Sequence, residues 1–206
     1  MDGVLVDFGN TIAKEMNKNI PLDSLKAHPS SKSKRRVLRK LQNAGITEVT
    51  SDDIEEATLK KDTGVGHTDR EKIIVEYLLV LLANNKPLWL GMELAPGAHK
   101  MVKMARQLGS VYILSSPFDN DSISAKHEWI QEHFSGIFKN VFIEKEKGQT
   151  IVNTGIIDKG ETVILIDDRV KSQKQLKGTG AQFVLYQPAS SEKAAIKTMK
   201  YLRGLS

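Results

Sequence analysis

Val163-Ile164-Leu165-Ile166-Asp167-Asp168-Arg169 is the stretch on which the fold turns. Four apolar residues, three of them β-branched, are long enough for a buried strand and too short for a helix. Two adjacent carboxylates then end it. Working outward, Val111-Tyr112-Ile113-Leu114 is a second such run, followed by the polar loop Ser115-Ser116-Pro117-Phe118-Asp119-Asn120. Val141-Phe142-Ile143 and Phe183-Val184-Leu185-Tyr186 are two more. Helical patterns separate them. Pro96 can open a helix that buries Ala98, Met101, Ala105 and Leu108 and stops at Gly109. Ile123, His127, Ile130 and Phe134 step at helical spacing. Further helices are expected at 172–177 and from about 191. Alternating strands and helices predict an α/β fold, a Rossmann-like doubly wound parallel sheet.

The first half reads differently. Val4-Leu5-Val6 is either a buried strand or the turn just after one, and no clear period follows as far as Ser31. A basic polar stretch, Ser30 to Arg36, precedes a short expected helix with Val37, Leu38 and Leu41 on one face and Gly45 as its stop. Thr50 with Asp53, and Thr68 with Glu71, have the spacing of capping boxes. The second opens the strongest helical pattern in the chain, with Ile73, Ile74, Tyr77, Leu78, Leu81 and Leu82 in phase. Residues 16–90 are therefore expected to form a mainly helical insertion, and 1–15 with 91–206 the α/β core.

At 206 residues the chain can bury a sizeable core without disulfide or metal. It has no cysteine, which excludes thiol catalysis and a disulfide framework. The longest apolar run, Leu78 to Ala83, is far short of the ~20 residues of a membrane span. No basic region followed by an apolar stretch marks a secretory signal. A cytoplasmic protein with no membrane partner is expected. The net charge is +5, carried in part by Lys32, Lys34, Arg35, Arg36, Arg39 and Lys40. These read as a solvated helix face, so nucleic acid is not expected as a partner. There is no internal repeat, and no feature fixes an oligomeric state.

In parallel sheets ligands bind beyond the carboxyl ends of the strands. The residues expected there are Asp2 or Asp7, Ser115 with Ser116, and Asp167 with Asp168. Two adjacent carboxylates are costly to bring together unless a cation neutralises them. A hard divalent ion with oxygen ligands, Mg²⁺ above all, suits them. A strand-end hydroxyl can hold a phosphate oxygen, and a lysine can neutralise phosphoryl charge; Lys145 and Lys147 are the candidates. Singly these are a turn, a helix cap and surface charge. Together they make up the parts list of metal-assisted phosphoryl transfer, and their order and spacing raise that reading above the single ones.

Met1-Asp2-Gly3-Val4-Leu5-Val6-Asp7-Phe8 resembles the opening loop of the haloacid dehalogenase-type 5'(3')-deoxyribonucleotidases, which reads Asp-Met-Asp-Gly-Val-Leu-x-Asp-Phe. The likeness extends to Met92-Glu93-Leu94-Ala95-Pro96-Gly97-Ala98 and, most specifically, to Tyr112 through Asn120 followed by Lys126-His127-Glu128-Trp129-Ile130. Ile164 to Arg169 matches the family's fourth motif. The resemblance covers the first fifteen or so residues and most of 92–186, not the insertion, which stands where the family carries its cap.

The resemblance implies a Mg²⁺-dependent phosphomonoesterase acting on nucleoside monophosphates through an aspartyl-phosphate. Asp2 matches the carboxylate that protonates the leaving oxygen and then activates water. Ser115 and Ser116 would hold phosphate, Lys147 (or Lys145) would neutralise charge, and Asp167 and Asp168 would hold the metal. In this alignment the position matching the nucleophile immediately precedes Met1. A shifted alignment makes Val4-Leu5-Val6 the first strand and Asp7-Phe8-Gly9-Asn10-Thr11-Ile12 the motif, with Asp7 as nucleophile and Gly9 at the acid/base position. A catalytically impaired phosphate- or nucleotide-binding protein is the alternative outcome, and a phosphatase acting on nucleic-acid ends a further one.

Overall fold

A computed structural model describes residues 3–20, 31–155, 157, 162–186, 198 and 200–204. The chain divides into two units, one of Met1–Asp7 with Lys86–Ser206 and one of Phe8–Asn85. The sequence pattern had set the corresponding borders at 16 and 90.

In the first unit the apolar runs become strands. The elements are α5 (Lys86–Leu90), α6 (Ala98–Leu108), β1 (Tyr112–Ser115), α7 (Asn120–Phe134), β2 (Asn140–Ile143), α8 (Lys147–Asn153), β3 (Ile164–Asp167), α9 (Val170–Gln175) and β4 (Gln182–Leu185). β1 and β2 are parallel, in register from Tyr112↔Asn140 to Ser115↔Ile143. β3 and β4 are parallel from Ile164↔Gln182 to Asp167↔Leu185. Parallel neighbours need a crossover, and α7 and α9 supply one for each pair. The fold is thus α/β with parallel pairing, its described strands forming two two-stranded sheets. The helix expected from about 191 lies mostly outside the described residues.

Two expectations for helix faces in this unit shift, and one open reading closes. Val4-Leu5-Val6, open between a buried strand and a turn, joins neither sheet. Gly3 donates to Val6 O (3.2 Å) and closes a turn, and Val6 forms an antiparallel bridge with Leu94. The backbone groups of Leu5 and Asp7 are taken up there too, by Ala95 and Glu93 (2.9 Å each). In α6, Leu108 is exposed, and Val102 joins Ala98 and Met101 inside. In α7 the buried stripe is Ser122, Ala125, Lys126, Trp129, Ile130 and Phe134, and His127 is exposed. The helix begins one residue after Asp119, whose capping box with Ser122 sets a different phase from the four-three-four reading. Trp129 is fully buried and donates its indole N–H to Met92 O (2.8 Å).

The described part of the second unit is helical: α1 (Phe8–Asn19), α2 (Lys32–Asn43), α3 (Ser51–Thr63) and α4 (Asp69–Leu82). Both expected capping boxes are present, Thr50 with Asp53 and Thr68 with Glu71. Gly64 ends α3 at φ 73°, a left-handed cap that favours glycine. α2 begins inside the basic stretch, not after it, because Ser31 caps the N–H of Lys34 (3.2 Å). Its buried residues are Val37, Leu38 and Leu41, as the spacing predicts.

Candidate functional site at the strand ends

Ser115 closes β1, where alternation turns it inward; it is 2% exposed. The next residues leave the strand as Ser116-Pro117-Phe118, and the chain is caught at Ser122, whose hydroxyl accepts from the N–H groups of Phe118 (2.8 Å) and Asp119 (2.9 Å). That fixes where α7 starts. One turn on, Lys126 is carried back toward the strand end. Its ammonium donates to Ser115 Oγ (3.2 Å) and to Ser116 O (2.7 Å), and stands 5.0 Å above the Trp89 ring. Lys126 is 2% exposed. A lysine buried this deeply is unusual. Here it places a positive charge and a hydroxyl side by side at a strand's carboxyl end.

Lys126 is a candidate residue that the strand-end reading passed over. Its signal was available: it lies four residues from Ser122 and Ile130 and three from Trp129, on the face that α7 buries.

A second group lies beyond β2 and β3. Glu144 N–H donates to Ser115 O (2.7 Å), so the chain leaving β2 starts out alongside Ser115. It then enters α8 at Lys147. Of the two candidate lysines, Lys145 is exposed and Lys147 is buried. Lys147 is anchored through its backbone N–H to Gln175 Oε1 (2.9 Å), and the same Gln175 amide reaches Lys145 O (3.3 Å). Gly148 allows this close packing: a Cβ there would collide with Gln175 O.

The Lys147 ammonium forms a buried ion pair with Asp167 Oδ2. Asp167 Oδ1 accepts the backbone N–H of Arg169 (2.8 Å). Burial alone would raise the Asp167 pKa, but the neighbouring Lys147 charge and its hydrogen bond, with that of Arg169, hold it below the ordinary carboxylate value. Asp167 is therefore ionised at neutral pH.

Asp168, half-buried, faces the turn at Gly3, where any Cβ would collide with its carboxylate and where φ is +74°. The turn that carries Gly3 to Asp7 thus lies against the carboxyl end of β3. Asp7 is half-buried at the end of that turn, and Asp2 lies outside the described residues. The shifted alignment requires a strand at 4–6; a turn occupies Val4 and Leu5, and Val6 forms only an isolated bridge.

Among the described residues no group of three or more histidines or carboxylates assembles that could hold a metal. Mg²⁺ takes as few as one or two carboxylates with waters and substrate oxygens. Asp167 and Asp168 are the carboxylates of that chemistry at the end of β3, and both Asp167 oxygens are engaged, by Lys147 and by the Arg169 N–H.

No family model, curated protein or solved structure matches the chain.

Proposed function

We propose that this protein is a phosphomonoesterase of the haloacid dehalogenase type, acting on nucleoside monophosphates, with its strands forming part of a doubly wound Rossmann-like core. The observation that carries the reading is the buried pairing of Lys126 with Ser115 at the carboxyl end of β1. A buried cation beside a hydroxyl suits a phosphate dianion, which needs both charge and hydrogen-bond donors. In this reading Ser115 and Lys126 grip the non-bridging oxygens, and Ser116 lies at the lip of the same loop. Lys147 balances charge beside Asp167. Asp167 and Asp168 would hold Mg²⁺, which when bound supplies Lewis-acid stabilisation of the phosphoryl group. Asp2 is the proton donor to the leaving oxygen under the longer alignment; the shifted one would make Asp7 the nucleophile, but the strand it needs at 4–6 is absent.

A second reading, a phosphate-binding protein without turnover, is favoured by one feature: Lys147 already neutralises Asp167. Phosphate release from a panel of deoxy- and ribonucleoside monophosphates with Mg²⁺ separates the two. The phosphatase reading expects release that fails in Asp167→Asn and in Lys126→Met. Loss in Asp7→Asn would assign the nucleophile to Asp7, and survival would exclude it. A folded protein that binds phosphate yet releases none from any substrate would establish the second reading.

A further inference from the structure

Helix α2 carries six cations in twelve residues and no acidic side chain. Its apolar residues Val37, Leu38 and Leu41 are buried, and the helix packs on α4, so its basic residues are left facing outward. Lys32, Arg35, Arg36, Arg39, Lys40 and Asn43, all on this one helix, line a shallow, open groove between their side chains. They stand at i, i+3, i+4, i+7, i+8 and i+11, a single stripe about 16 Å long at the helical rise per residue. Arg36 and Lys40 share Glu76 of α4 (2.6 and 2.5 Å), which leaves a net excess of positive charge along the groove. Among the described residues no ion pair involves Lys32, Arg35 or Arg39.

We infer that this groove binds the phosphate backbone of a nucleic-acid strand. A linear row of exposed cations along one helix fits a chain of phosphates. It exceeds what one phosphomonoester can use. Three of the five cations are arginines, whose forked donors suit phosphate oxygens. An anionic membrane is the other large polyanion, but interfacial helices bury an apolar face in the lipid, and the apolar face of α2 is spent on the protein interior. The groove lining holds no aromatic side chain, so base stacking plays no part and binding is independent of sequence. The inference rests on α2 and not on the strand-end site, and it departs from the expectation of a merely solvated face.

The test is fluorescence anisotropy of a labelled oligothymidylate of about twenty nucleotides, titrated with the full chain at several salt concentrations. The proposal expects binding at low salt, with log K falling against log salt at a slope of about −2 to −3, from roughly 0.7 per phosphate neutralised. Arg35→Glu with Arg39→Glu should weaken binding at least tenfold, on the order expected for losing several phosphate contacts. Lys103→Glu with Lys174→Glu changes the net charge equally at exposed residues elsewhere and should leave it within about twofold. Both double variants alter exposed side chains, and circular dichroism checks that they fold. Equal loss in the two, or no binding at low salt, would overturn the proposal. So would sedimentation with phosphatidylserine vesicles in the absence of oligonucleotide binding.

Discussion

At residue scale, Gly3 and Lys126 hold the strand-end site in opposite ways, one by having no side chain and the other by burying a long one. Gly3 sits at φ +74° with the Asp168 carboxylate where a Cβ would go. Gly3→Ala therefore meets both backbone strain, about 1 kcal/mol or more for a non-glycine residue there, and a collision. Chemical denaturation should show it less stable by about 1–3 kcal/mol; an unchanged midpoint would mean that the turn does not abut Asp168. Asp167 was legible as a strand-end carboxylate because an apolar run led into it. Lys126 was passed over despite its spacing from Trp129 and Ile130, because a lysine in a helix that also carries His127 and Glu128 reads as surface. Its burial depends on the phase of α7, which the cap decides.

At element scale, local chemistry that closes on itself was legible and tertiary phase was not. Thr50 with Asp53, and Thr68 with Glu71, are pairs three residues apart that satisfy each other's backbone, so sequence alone finds them. Helix α1 was missed for a physical reason. Its buried residues are Gly9, Thr11, Ile12, Ala13 and Met16, and the small ones give no hydrophobic period even though they face inward. The doubly wound sheet was read from alternating elements, and what stands in the described residues is two parallel pairs. The cap of α7 is the element on which the site depends. The Ser122 hydroxyl accepts two backbone N–H groups and donates to Asp119 O (2.7 Å), and the residue is fully buried. Ser122→Ala removes all three bonds and should lower stability by roughly 1–3 kcal/mol, the cost of a lost cap and orphaned buried donors. It should also weaken phosphate binding, because Lys126 follows one turn later. A loss of stability with no change in phosphate affinity would separate the cap from the site.

At the scale of the whole molecule, each unit buries large side chains of its own, Trp129 and Phe134 in one, Ile12, Met16 and Tyr77 in the other. The charged interior of the first makes stability depend on pH. Asp167 titrates below the ordinary carboxylate value in the folded chain. Its stabilisation is therefore fully present above the unfolded pKa of about 3.9 and is lost as pH falls through the folded value. Urea titrations from about pH 5 down to about pH 2 should show this loss in the natural chain. Lys147→Met with Asp167→Leu removes both charges and leaves neither orphaned, so its stability should change less over that range. Equal acid sensitivity in the two would show that the pair is not ionised as drawn.

Whether Ser115 and Lys126 form a phosphate site at the carboxyl end of β1 is tested, without requiring turnover, by titrating inorganic phosphate in a calorimeter. The natural chain should bind saturably in the presence of Mg²⁺, and Lys126→Met should bind roughly 10–100-fold more weakly, as expected for losing one charge-assisted hydrogen bond of about 1.5–3 kcal/mol. If folded Lys126→Met binds phosphate as tightly as the natural chain, the buried lysine is a packing residue and the strand-end site is not where phosphate goes.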